Sequence, residues 1–66
     1  SMADDISIAE CGCEWHYNDD APCILIPCEV HRKKYGLENA PRELSVANIN
    51  YAKQIHQILE EVWPIG

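Results

Sequence analysis

Apolar and polar positions along this chain change their period several times, and each change marks an expected element. Ile6 and Ile8 alternate with polar neighbours in an otherwise acidic start, a pattern that fits either a frayed N-terminus over residues 1–9 or an added edge strand. Glu14 to Tyr17 has aromatic character suited to a strand. Asn18-Asp19-Asp20-Ala21-Pro22 is dense in turn formers, and Cys23-Ile24-Leu25-Ile26 is a short β-branched run suited to the returning strand. A β-hairpin is expected.

Pro27 ends the second strand and is tolerated where a helix starts, and Glu29 complements the positive end of that helix. A short helix is expected from Cys28 to Tyr35, with Lys33 and Lys34 in its last turn and Gly36 as its left-handed terminator. After a linker over residues 37–40, Pro41 opens a second helical pattern that runs to Trp63, where Pro64 stops it. On a 100° wheel Leu44, Tyr51, Ile55, Ile58, Leu59 and Val62 share one face, and a second stripe of Ile49, Ala52, His56 and Trp63 lies beside it. The combined arc spans roughly 200°, wider than one small hairpin covers. Val46, Ile49, His56 and Trp63 are therefore candidate contacts to a protein partner or to a second copy in a homodimer formed through this helix.

Length sharpens the reading, because a chain of 66 residues is marginal without a staple. The candidate staple lies in residues 11–31, which hold Cys11, Cys13, His16, Cys23, Cys28 and His31. Cys13-Glu14-Trp15-His16 and Cys28-Glu29-Val30-His31 are two copies of Cys-Glu-x-His, and each has a further cysteine just ahead of it. A disulfide between Cys11 and Cys13 is strained by their single-residue spacing, whereas two thiolates on a glycine turn can face one cation. Tetrahedral zinc takes four N or S ligands, usually as two local pairs. Three quartets meet that demand. Cys11, Cys13, Cys28 and His31 is favoured, since the glycine lets a tight turn aim two sulfurs one way and the i, i+3 spacing of Cys28 and His31 puts both on one helical face. Cys13, His16, Cys28 and His31, and the all-thiolate set Cys11, Cys13, Cys23 and Cys28, remain as alternatives. Read plainly, Cys23 is a small buried hydrophobe, His16 a half-exposed strand residue and His56 a helix-surface histidine. One Zn2+ per protomer is expected.

The formal charge of -6 is unevenly placed. Residues 1–20 carry Asp4, Asp5, Glu10, Glu14, Asp19 and Asp20 with no base, a surface suited to a basic protein partner. Bulk nucleic-acid binding is disfavoured by that balance, although Arg32, Lys33, Lys34 and Arg42 form a possible local patch for it. No apolar run of membrane-spanning length occurs. Ser1-Met2 reads as a cloning remnant, no charged-then-apolar segment precedes the cysteines, and unpaired thiols fit a reducing interior, so a cytoplasmic setting is expected. Neither a phosphate loop nor a Ser/His/Asp signature is present, and four filled ligand places leave a metal no open position, so an enzyme is not expected.

A CxC turn, a hairpin and a CxxH at a helix start, written CxCx14CxxH, together resemble a treble-clef or ββα zinc finger over residues 11–36. The chain departs from common forms in placing one residue rather than two between its first ligand pair. The resemblance implies a structural zinc and a role in protein or nucleic-acid binding, and a small acidic protein of this kind resembles stand-alone bacterial or phage accessory proteins. The expected fold class is a small zinc-stabilised α+β unit. Its hairpin-helix finger over residues 10–36 is followed by a long amphipathic C-terminal helix over residues 41–63.

Overall fold

A computed structural model describes residues 5–63. Four strands form one antiparallel sheet in the order β1-β2-β3-β4, where β1 is Asp5–Ile8, β2 Glu14–Asn18, β3 Ala21–Ile26 and β4 Leu44–Ser45. The central hairpin pairs Trp15 with Leu25 and His16 with Ile24, and its register shifts between His16 and Asn18. Asn18 Oδ1 closes the turn by accepting from the Asp20 N–H at 2.8 Å. Side chains alternate across a strand, so Trp15, Leu25 and Leu44 fall on one face and His16 and Ile24 on the other.

Helix α1, Glu29–Lys34, follows β3 directly. Its end is set by Gly36, which adopts φ +69° and allows the Leu37 N–H to reach back to the Arg32 carbonyl at 2.7 Å. That bond is the six-residue closure of a Schellman motif, and it drives Leu37 fully into the core.

The long helix expected over residues 41–63 is not formed. Instead Leu44 pairs with Leu25 in β4, a 3-10 turn covers Ile49–Tyr51, and helix α2 runs only over Ala52–Val62. Backbone hydrogen bonding explains the correction. A helix entered at Pro41 would turn the carbonyls of residues 40–43 along its axis toward its own N–H groups, whereas here those of Ala40, Pro41 and Arg42 turn toward the Arg32 guanidinium. The Arg32 guanidinium donates through Nη1 to Leu37 and Pro41 at 3.2 Å each and to Ala40 at 3.5 Å, through Nη2 to Arg42, and through Nε to Pro27 at 3.2 Å. The Val46 N–H is committed to the Cys23 carbonyl at 2.9 Å. Helical geometry starts where Asn48 Oδ1 accepts from the Asn50 N–H at 2.9 Å.

The apolar wheel face of α2 does what its periodicity implies. Ile55 and Ile58 are buried, and Leu59 and Val62 pack against the core of Cys13, Trp15, Leu25, Leu37 and Leu44. Leu44 joins that core as a strand residue rather than a helical one. Within the adjacent stripe the residues part company. Ile49 is 87% exposed and His56 is exposed with an i, i+4 pair to Glu60, whereas Trp63 folds back and stacks on Trp15 at 5.3 Å between ring centroids. Val46 is half-buried against the core.

The guanidinium fan should be worth a measurable part of the stability, since hydrogen bonds from a charged donor contribute about 1.5–3 kcal/mol each in favourable cases. Arg32→Lys keeps the charge but cannot span five carbonyls. Urea unfolding of the metal-loaded protein is expected to show a loss of about 2 kcal/mol for Arg32→Lys and for Arg32→Ala alike. Wild-type stability in the lysine variant would show that charge, not the fan, matters.

Candidate metal centre

The loop between β1 and β2 is a tight turn made by its own backbone. The Ala9 N–H donates to the Cys13 carbonyl at 2.8 Å and the Gly12 N–H to the Ala9 carbonyl at 2.9 Å, with Gly12 at φ +102°. This left-handed conformation favours glycine, and a Cβ there would also stand 3.6 Å from Cys28 Cβ. Cys11 and Cys13 flank it. Cys28 is the residue that caps α1 and His31 lies in the helix's first turn, so the turn delivers one pair and the helix start the other.

Cys11, Cys13, Cys28 and His31 converge, with their ligand atoms all within 4.8 Å of one another. His31 Nδ1 lies 3.3 Å from Cys13 Sγ and 3.1 Å from Cys28 Sγ. A zinc tetrahedron with Zn–S of about 2.3 Å and Zn–N of about 2.0 Å has S–N edges of roughly 3.5 Å and S–S edges of roughly 3.8 Å, so these separations need only small side-chain adjustments to receive an ion. The donor chemistry fits too. Three thiolates and one imidazole are the soft and borderline set that zinc takes in closed tetrahedral sites.

Backbone N–H groups hold two of the sulfurs in place. Cys28 N–H donates to Cys13 Sγ at 3.2 Å, and His31 N–H donates to Cys28 Sγ at 3.4 Å. Their electrostatic consequences differ. Burial pushes the Cys13 thiol up to about 12, outweighing the N–H of Cys28. Burial also acts to raise Cys28, but there the backbone N–H and ring of His31 prevail and bring it down to about 7. His31 itself is desolvated, which lowers its basicity, yet Cys28 and Glu61 more than offset this and its pKa is raised.

The far nitrogen of His31 is oriented by a residue that the sequence reading did not single out. Nε2 lies 3.0 Å from Glu61 Oε1, on the last turn of α2, while the other Glu61 oxygen accepts from Lys34 Nζ at 3.0 Å and from the Tyr35 hydroxyl. These contacts hold the Glu61 carboxyl below its ordinary range, His31 being the larger cause and Lys34 the next. A carboxylate on the second imidazole nitrogen fixes ring and tautomer so that Nδ1 presents its lone pair to a metal. The sequence signal was slight: Glu61 borders the apolar arc of α2, but nothing local ties it to a histidine thirty positions earlier.

The alternative ligands lie elsewhere. His16 sits on the opposite sheet face from Trp15 with Nε2 3.3 Å from Glu14 Oε1, and Cys23 is a half-buried core neighbour whose thiol is pushed up by burial. Among the described residues neither belongs to the converging cluster. The basic residues are likewise engaged: Arg32 in its fan, Lys33 with Glu29 at 3.9 Å, Lys34 with Glu61, and Arg42 with Glu43 at 3.4 Å. No protein-family model, curated protein or solved structure matches the chain.

Two outcomes follow from this geometry. Glu61→Gln should weaken Zn2+ binding by about 10–100-fold in competition with a chromophoric chelator, with little change in the folded spectrum of the loaded protein. An unchanged affinity would reduce Glu61 to a surface contact. Metal binding should also release protons, because Cys13 is protonated at neutral pH and a bound thiol is not. Lowering the pH from about 8 to about 6 takes Cys28 through its value near 7 and protonates His31, so proton release per ion should rise and affinity should fall. Calorimetry in buffers of different ionisation enthalpy measures that count.

Proposed function

We propose that this chain is a zinc-stabilised protein-interaction module rather than an enzyme. The convergence of three thiols and one imidazole, within 4.8 Å, carries the reading. All four tetrahedral places are then taken by protein, so the ion has no position for water or substrate and acts as a structural cross-link. The order of turn, hairpin and helix around the quartet resembles that of a treble-clef finger, which supports the structural reading of the ion.

What the ion would hold together is a small platform with several apolar side chains on its outside. Ile6, Ile8, Tyr17, Val30, Ile49 and Trp63 are all exposed. Single exposed hydrophobes are ordinary; here Val30 lies on α1, while the other five occupy the edge strand β1, its neighbour β2 and the two ends of the α2 region. The acids of residues 1–20 favour a partner that is basic where it meets this surface. Nucleic-acid contacts through Arg32, Lys33, Lys34 and Arg42 would each compete with the internal contacts described above.

Native mass spectrometry is expected to find one zinc per protomer. Cys11→Ser and Cys28→Ser should lose the ion, and Cys23→Ser and His16→Ala should keep it. Removing zinc with a strong chelator should collapse the amide dispersion of residues 9–37, since metal binding energy is folding energy in a chain of this size. A metal-free protein with an undisturbed spectrum would refute a structural zinc, and zinc-dependent ester hydrolysis above the buffer rate would refute the closed site.

A further inference from the structure

The cross-strand register of β1 and β2 builds a second cleft, away from the thiols. Asp5 pairs with Tyr17 and Ser7 with Trp15, and alternation places all four side chains on one face of the sheet. Trp63, at the end of α2, closes the group by stacking on Trp15 with an interplanar angle of 27°. These five residues line a cleft of about 430 Å³. Its walls are three aromatic rings, and among the described residues it adds the Ser7 hydroxyl and one charged group, the Asp5 carboxylate.

Burial within the cleft is graded. Trp15 is 5% exposed and belongs to the core, whereas Tyr17 at 49% and Trp63 at 45% present ring surface to solvent. Core packing accounts for Trp15 alone. It does not account for two half-exposed aromatic rings beside an acid on the free edge of a sheet.

The geometry points to a binding site for an arginine side chain of a partner protein. An aromatic face attracts a cation through its quadrupole, and a planar guanidinium can lie flat on a ring while turning its N–H fork to a carboxylate. The cleft supplies both halves, rings from Trp63 and Tyr17 and the carboxylate from Asp5. Charge complementarity selects the same occupant. Residues 5–20 hold Asp5, Glu10, Glu14, Asp19 and Asp20 and no lysine or arginine, so no internal base from that stretch competes for the site. Neutral apolar side chains would leave Asp5 without a partner, and an anion would meet the acidic surface.

This assignment rests on the interaction-module reading and specifies its partner. Its test is separable, because the titration is done on zinc-loaded protein of verified metal content. The chain has two tryptophans and both line the cleft, so their indole N–H resonances report occupancy directly. The probes are short acetylated and amidated Gly-Ser peptides carrying one central arginine, lysine, trimethyl-lysine or alanine. The arginine peptide is expected to shift both indole signals with saturation in the millimolar range, the lysine peptide to bind more weakly, and the alanine peptide to do nothing. Added salt should weaken binding.

Asp5→Asn and Tyr17→Leu should each reduce affinity about two- to fivefold, in keeping with a single exposed ion pair or cation–ring contact. Both positions are exposed, so the fold and zinc content should be unaffected. No shift with the arginine peptide, equal shifts with alanine, equal affinity for lysine, or preference for trimethyl-lysine would each overturn the assignment. With zinc still bound, any of these results leaves the structural role of the metal standing.

Discussion

Everything in this molecule depends on bringing a turn and a helix start to one point. Cys13 Sγ receives the N–H of Cys28, and His31 Nδ1 stands within 3.3 Å of both sulfurs, so the base of the hairpin is tied to the beginning of α1 before any ion is considered. The ligands are thus partly organised by hydrogen bonds that also neutralise sulfur charge. Three thiolates and a divalent ion leave a net negative charge, and N–H donors aimed at two of the sulfurs disperse it. Cys11, the exposed member, carries the solvent-facing part.

The same point organises the rest of the chain through two arms. Arg32, one residue beyond His31, gathers the carbonyls of Leu37, Ala40, Pro41 and Arg42 along the path that brings Leu44 beside Leu25. Glu61 ties the end of α2 to the far side of the His31 ring. A chain of this length cannot rely on a large core, and its fully buried side chains are few. Polar contacts that converge on α1 therefore take over part of the work of fixing where the remaining elements lie.

The elements legible in the sequence were those whose causes are local. Glycine between two cysteines, turn formers before a β-branched run, i, i+3 spacing of Cys28 and His31, and Gly36 after two lysines each act over a few residues. The helix over residues 41–63 failed for the opposite reason. Leu44 fits a 3.6-residue period with Tyr51 and Ile55, yet its backbone is claimed by β3 and the carbonyls ahead of it by a guanidinium from another element. Periodicity records which side chains are buried and is silent on which backbone groups are already bonded. Glu61 and the pairing of Trp15 with Trp63 were hidden likewise, since both contacts join residues far apart in sequence.

The last turn of α2 links the two parts of the surface. Glu61 faces His31 and Trp63, two residues on, stacks against Trp15, so one short segment contacts a residue of the candidate metal centre on one side and forms a wall of the aromatic cleft on the other. Trp15 connects them a second way, because it stands in β2 two residues after Cys13 and lines the cleft. An ion held by His31 would thus lie one hydrogen bond away from the segment that ends in Trp63. In a protein this small the candidate metal site with its supporting carboxylate and the aromatic cleft have no residue in common, yet Cys13 and Trp15, and Glu61 and Trp63, stand two positions apart, so the same two short segments carry both.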